Sequence, residues 1–331
     1  MRRVLVLILA LLPGFVWAQF APAQDKPGTT AMHADSSAFV AWATGCEAEP
    51  GPMNIANPSA GMAGTGWPAS NVIGPPEGTF GVTCLGDGGV ATVTFASPIC
   101  DRPGPDFAVF ENGFANAQNP DLWFLELAFV EVSSDGENFF RFPAYSNTQT
   151  ETQIGGMECI DPSQIHNLAS KYGAMYGTPF DLEEIPDNPL LDKNNVTHVR
   201  IIDVIGNIDP EYATYDCQGH PVNDPWPTPF PSGGFDLDAI GVIHDIEHFP
   251  NPPQDIEENE ELTVSVYPNP ANDKLFINAT NVQHVDLYNV TGQLVISSTD
   301  TEINVSGLEA GMYFISVKYG ESRYTERIII R

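Results

Sequence analysis

The chain has 331 residues and a formal net charge of -30, from 43 Asp and Glu against 13 Lys and Arg. That length accommodates one medium domain and a smaller one, each with a core of its own. The charge excludes nucleic acid and anionic lipid as partners and favours neutral or cationic ones, calcium among them, although an acidic surface also simply keeps a protein soluble.

Gly and Pro, 29 of each beside 42% hydrophobic residues, fit a turn-rich all-β protein better than a disordered one. At the start, Arg2 and Arg3 precede the apolar run 4–12, Pro13 and Gly14 break it, and Ala18 supplies the small residue that signal peptidase needs. The pattern predicts a signal peptide over 1–18, cut between Ala18 and Gln19. No Cys follows the cut, which argues against lipidation, and no later segment has the apolar length of a membrane helix. Residues 19–36 are small and polar and read as a disordered leader.

Strand signals then follow in series through a body spanning 37–248: residues 89–95, 107–110, 196–205 and 235–244. The longest is 124–145, FLELAFVEVSSDGENFFRFPAY, where alternation up to Val132, turn chemistry at 133–136 and a second aromatic run predict a β-hairpin. Leu125, Leu127 and Phe129 share one face of it and Ala128, Val130 and Val132 the other, so the strand is expected inside a two-layer structure. Several short strands joined by Gly and Pro turns imply a jelly-roll β-sandwich. One short helix is expected in the insertion 146–195, capped by Asp161, with Pro162 first and Ile165, Leu168, Ala169 and Tyr172 on one side. Three prolines and a run of acids at 249–262 read as an extended linker, and 263–331 as a compact β unit.

That last unit carries a resemblance. The runs YPNPANDKLFI, VDLYNVTGQLV and LEAGMYFISV, with Pro268, Asn269, Pro270, Gly292, Gly311 and Tyr313 in order, resemble the type A C-terminal sorting domain of the type IX secretion system of Bacteroidetes. The resemblance implies an Ig-like β-sandwich, passage across the outer membrane by the type IX secretion machinery, and release or surface attachment. The body resembles uncharacterised bacterial cell-surface proteins over about 66–244, and its VEVSSDGENFF and GFDLDAI runs are similar to strands of galactose-binding, discoidin-like jelly rolls. Fold likeness alone assigns no function.

Oxygen ligands suit calcium, and six acids are candidates. Asp236 and Asp238 lie two apart on a strand and so share a face, which Ile240 and Val242 continue; a cation, backbone donors or Arg200 would relieve their charge. Glu111 ends the strand FAVF that Asp106 begins, and Asp209, Asp216 and Asp224 sit in the long loop 208–230. Glu126 is an inward acid that needs a partner, with a metal, Arg141 or a backbone donor as the choices. Trp226 and Phe230, between prolines, are either an aromatic sugar platform or packing beneath the loop. His244 and His248 are not spaced for zinc on a strand end. Five cysteines allow bridges of Cys84 with Cys100 and Cys159 with Cys217 and leave at least one thiol over. No nucleophile, phosphate-loop or dinucleotide motif is present. The expectation is a non-catalytic glycan- or ligand-binding module stabilised by calcium, against a structural or adhesive surface protein or a glycan-directed hydrolase.

Overall fold

The computed structural model describes residues 20–78, 80–250, 264–279, 281–320 and 322–331. The signal peptide with its cut at Ala18 and Gln19, and the linker from 251 on, lie outside the described residues. The chain divides into two compact units, one within residues 1–251 and the other within 252–331.

The body is built from two antiparallel sheets. One runs in the order Met32–His33, Tyr176–Phe180, Phe107–Glu111, Asp236–Val242 and Ala41–Trp42, with Thr83–Cys84 also paired to Asp236–Val242. The other runs Phe140–Arg141, Ala128–Ser133, Val196–Asp203, Val90–Ile99 and Gly45–Glu49, with Leu168–Ala169 added beside Ala128–Ser133. Phe107, Val109, Ile240 and Val242 of the first sheet pack against Val93, Val130, Val132, Val199 and Ile201 of the second. This is the expected two-layer sandwich. From Val90–Ile99 onward, the strands of five or more residues alternate between the sheets, so each connection crosses an end of the sandwich and places loops there.

The hairpin forms as its pattern demands, with Val132 opposite Phe140 and Glu131 opposite Arg141. Ser133 Oγ accepts from the Asp135 and Gly136 amides, and Gly136 takes the φ of +77° that the turn requires. Ala128, Val130 and Val132 face the core between the sheets. Leu125, Leu127 and Phe129 face a second apolar cluster with Ile160, Ile165, Leu168 and Val222.

Four expectations for the body need correction. The leader is ordered from Phe20: its amide donates to the Ser163 carbonyl, Ala23 is buried, and Met32 and His33 pair with Gly177 and Tyr176. The helix stops after one 3-10 turn, Pro162–Gln164, although Asp161 does cap it by accepting from the Ser163 amide. Leu168 and Ala169 pair instead with Phe129 and Ala128, and Asn167 and Ser170 adopt φ of 52° and 63°, which no right-handed helix tolerates; tertiary pairing overrides the periodicity. A register shift between Leu237 and Ala239 changes the phase of the last strand, so Leu237, Ile240 and Val242 share the core and Asp236 and Asp238 do not. Finally, all five cysteines are free thiols, so neither bridge forms.

The C-terminal unit is a smaller sandwich of its own. Ser265–Tyr267, Lys274–Asn278 and Glu302–Asn304 form one sheet, and Leu294–Ser298, Val282–Asn289, Gly311–Tyr319 and Ser322–Ile330 the other, around Leu275, Leu287, Ile315, Val317 and Ile328. Its motif residues have structural work. The Asn269 side chain, between Pro268 and Pro270, accepts from the Ile329 amide at 3.0 Å and donates to the Arg327 carbonyl at 2.8 Å, tying the first turn to the last strand. Gly292 closes a tight turn at φ +80°, Gly311 opens a nine-residue strand, and Tyr313 is buried with its hydroxyl donating to the Glu309 carbonyl.

Candidate functional site

At one end of the body the alternating strands bring acids from separate segments together. Glu111 ends the strand Phe107–Glu111 and lies opposite Leu237; Asp236 begins Asp236–Val242 opposite Cys84; and Glu126 precedes Ala128–Ser133. All three are buried. Glu111 Oε2 accepts from the Gly113 amide at 2.6 Å and Ser170 Oγ at 2.7 Å. Position 113 admits only glycine, since a Cβ there would lie 2.8 Å from the Phe124 carbonyl and 2.9 Å from Glu111 Oε2. Glu126 Oε1 accepts from the Gly234 amide at 3.0 Å, and Asp236 Oδ2 from Asn112 Nδ2 at 3.1 Å. Glu111 Oε1 and Asp236 Oδ1 are buried and have no hydrogen-bond partner. Such oxygens are rare in folded proteins and ask for a reason.

Glu126 and Asp236 line a cavity of about 220 Å³ with Asn112, Thr228 and Ser232 as further polar groups. Its apolar lining is Phe114, Phe124, Phe230 and Met157. Phe114 and Phe124 stack at 4.9 Å between ring centroids, on a short ribbon in which Phe114 pairs with Phe124 and Ala115 with Trp123. Phe114 and Phe230 are each 52% exposed, far above what a large apolar side chain shows in a core. Among the described residues no basic side chain lines the cavity.

The electrostatics follow from that exclusion of positive charge. Burial, opposed by the Ser170 hydrogen bond and reinforced by the Asp236 charge, pushes the Glu111 carboxyl up to about 8. Burial, followed by the charges of Asp236, Glu111, Asp224 and Asp203, raises Glu126 well above the ordinary carboxylate range. Asp236 is pushed up to about 6 by burial, against hydrogen bonds from Cys84 and Asn112. The Cys84 thiol is itself held protonated by burial and by Asp236. The group therefore shares fewer charges than carboxyls at neutral pH, and a cation entering the cavity would restore them.

The other candidates stand apart. Asp238 accepts from the Glu77 and Gly78 amides at 3.0 and 2.9 Å, and Asp224 from the Leu127 amide at 2.8 Å. Asp216 accepts from the Ser146, Gln218 and His220 amides, and Asp209, which is exposed, from the Glu211 amide. Arg200 and Arg141 are both taken by Glu131, so neither is the partner of Asp236, Asp238 or Glu126. His244 and His248 pair with Asp106 and Asp245 at 2.8 Å. Phe230 reaches the cavity; Trp226 does not line it, and its Nε1 donates to Asp87 at 3.1 Å.

The six candidate acids do not gather into a carboxylate trio among the described residues. Three ligands at calcium's usual 2.3–2.6 Å must lie within about 5 Å of one another. Among the described residues the one trio with ligand atoms within 4.8 Å is Asp101, Asp106 and Asp181. There both Asp106 oxygens are already engaged, by the Arg102 and Leu182 amides and His244. Sequence reasoning missed Phe114 and Phe124, which sit on the short ribbon, and Met157, Thr228 and Ser232, which come from loops; the available signal was Phe114 and Phe124 flanking a turn with Asn116, Asn119 and Pro120 close after Glu111.

Residues 265–331 match the family described as the secretion system C-terminal sorting domain. No curated protein matches the chain. Among solved structures it is similar to a β-glucuronidase from Ruminococcus gnavus in complex with an N1-substituted uronic isofagomine, at 11% identity and a TM-score of 0.21, over 94% of this chain and 48% of that one. It is also similar to the BSP domain of a biofilm associated protein, at 10% identity and a TM-score of 0.17, over 73% of this chain and 48% of that one. The chain spans about half the length of each, and likenesses this faint carry no argument about the body.

Proposed function

We propose, from the premise that the C-terminal unit is a type IX sorting domain that directs the chain to secretion or the cell surface, that the body is an extracellular glycan-binding module whose site is the acid-floored cavity. One observation carries the reading: Asp236, a buried acid whose Oδ1 has no hydrogen-bond partner, stands in the wall of a cavity that Phe114, Phe124 and Phe230 also line. A buried acceptor is costly unless something donates to it. Sugar hydroxyls are such donors, and the apolar face of a pyranose packs on Phe rings as Phe114 and Phe230 present them. Asn112, Thr228 and Ser232 add the few polar groups that would fix a sugar's orientation.

The reading is non-catalytic. Cys84 beside Asp236 is fully buried with its thiol held protonated, and Glu111 stands behind the cavity rather than in its wall. The test is a glycan array probed with the chain and with Phe230→Ala. Binding by the parent that weakens at least several-fold in the variant, with no new reducing ends released from the bound glycans, is expected. Equal binding by both proteins would remove the site from the reading, and released reducing ends would replace binding with hydrolysis.

A further inference from the structure

Resting on that binding site, we infer that the glycan it takes carries a protonated amine: the cavity is built for an amino sugar whose ammonium group meets Asp236 and Glu126 while its ring packs against Phe114 and Phe230.

The floor and the rim of the cavity make different demands, and a neutral sugar meets only one of them. Hydroxyls donate to an acid but leave its charge uncompensated, and here Glu126 and Asp236 stand in the wall with Glu111 close behind and, among the described residues, no basic side chain in the lining. Three acids from three strand ends, all buried, hold two oxygens that nothing in the protein satisfies. Elsewhere in the body a buried acid is given a cation or backbone amides: Glu131 has Arg141 and Arg200, Asp106 has His244 and two amides, and Asp203 has the Gly88 and Phe235 amides. Asp245 Oδ2 is also without a partner, and it is Asp236 that combines such an oxygen with a place in the wall of this cavity, beside Glu126.

A bare hard cation meets the floor but not the rim. It wants six or more oxygens, whereas Phe114, Phe124, Phe230 and Met157 supply the other side of the cavity, and the three acids do not bring their ligand atoms together as a calcium shell requires. An ammonium group on an organic body meets both. It donates up to three charge-assisted hydrogen bonds to carboxylates, and aromatic faces attract it through their quadrupole. A volume of about 220 Å³ accommodates one sugar ring, which an ion alone would leave largely empty. The net charge of -30 attracts such a ligand at long range and repels uronic acids.

The test uses tetramers of glucosamine and galactosamine, their N-acetylated forms and the corresponding neutral glucose and galactose tetramers, titrated calorimetrically into the chain. Amino-sugar tetramers are expected to bind at least about tenfold more tightly than both other classes, the margin of one charge-assisted bond. Asp236→Asn and Glu126→Gln, each verified as folded by its melting curve, are expected to erase that preference, and calcium chloride is expected not to compete. Neutral and N-acetylated tetramers binding as tightly as the amino forms would overturn the inference and leave the glycan site standing. Binding by none of the six would overturn both. Saturable calcium binding that Asp236→Asn abolishes, with no amine preference, would replace the amine by a metal.

Discussion

Glu111→Gln isolates the cost of the buried acids. Gln keeps an oxygen for the Gly113 amide and Ser170 hydroxyl and puts an amide NH2 where Glu111 Oε1 has no partner. In the unfolded chain this carboxyl titrates near 4.5, and in the fold burial pushes it up to about 8. Between those values the native state keeps a proton that the unfolded state has released, so the stability that the protonated carboxyl supplies is complete below pH 4.5 and is lost as pH rises toward 8. At about 1.4 kcal/mol per pKa unit the loss is roughly 3 kcal/mol by pH 7 and nearer 5 kcal/mol once both states are ionised. Removing the charge should therefore move the stability difference in favour of the variant by about 3 kcal/mol between pH 4 and pH 7, a melting-temperature gap of roughly 6–12 °C for a body of this size. Urea unfolding followed by tryptophan fluorescence reads the body alone, because every Trp precedes residue 227. A stability difference that stays constant from pH 4 to pH 8, or that grows in favour of the parent, refutes the account of the acid cluster.

Glu131→Ala strands Arg141 and Arg200, the latter stacked 3.8 Å over the Phe139 ring, and should destabilise the body by about 2 kcal/mol after discounting for partial exposure; a change under about 0.5 kcal/mol in urea would show the triad to be ornamental. Asn269→Ala leaves the Ile329 amide and Arg327 carbonyl without their side-chain partner, and calorimetry should show the C-terminal transition weakened by about 1–2 kcal/mol with the body transition unmoved. A reporter fused to residues 263–331 should leave a host that has type IX secretion and stay in the periplasm of one that lacks it; retention in both contradicts the sorting assignment.

Much of the fold was legible because alternation and turn chemistry are local properties. The hairpin of Ala128–Ser133 with Phe140–Arg141 follows from its apolar faces and its Ser133 to Gly136 turn, and the sorting unit from motif residues whose hydrogen bonds or turns prove structural. The helix expected after Asp161 failed because the same apolar spacing serves two short strands, Ile165–His166 and Leu168–Ala169, once Tyr145 and Ser146 pair with the first and Phe129 and Ala128 with the second. The face of Asp236 and Asp238 was misread because a bulge after Leu237 leaves no mark in a hydrophobicity pattern.

Of the site, Glu111, Glu126, Asp236 and Phe230 were visible as residue types, and their grouping was not. The sequence by itself determined an acidic, two-unit β protein and its sorting tail, since charge, composition and ordered motifs are sums or short spacings along the chain. Only the tertiary structure decided that Glu111, Glu126 and Asp236, up to 125 positions apart, meet near Phe114 and Phe230, that Asp224 acts on Glu126 from outside the cavity wall, and that Asp209 and Asp216 do not join them. The physical reason is that strands alternating between two sheets deliver their ends to one edge of the sandwich, and which side chain points into the space there depends on register, bulges and loop closure rather than on neighbours in sequence.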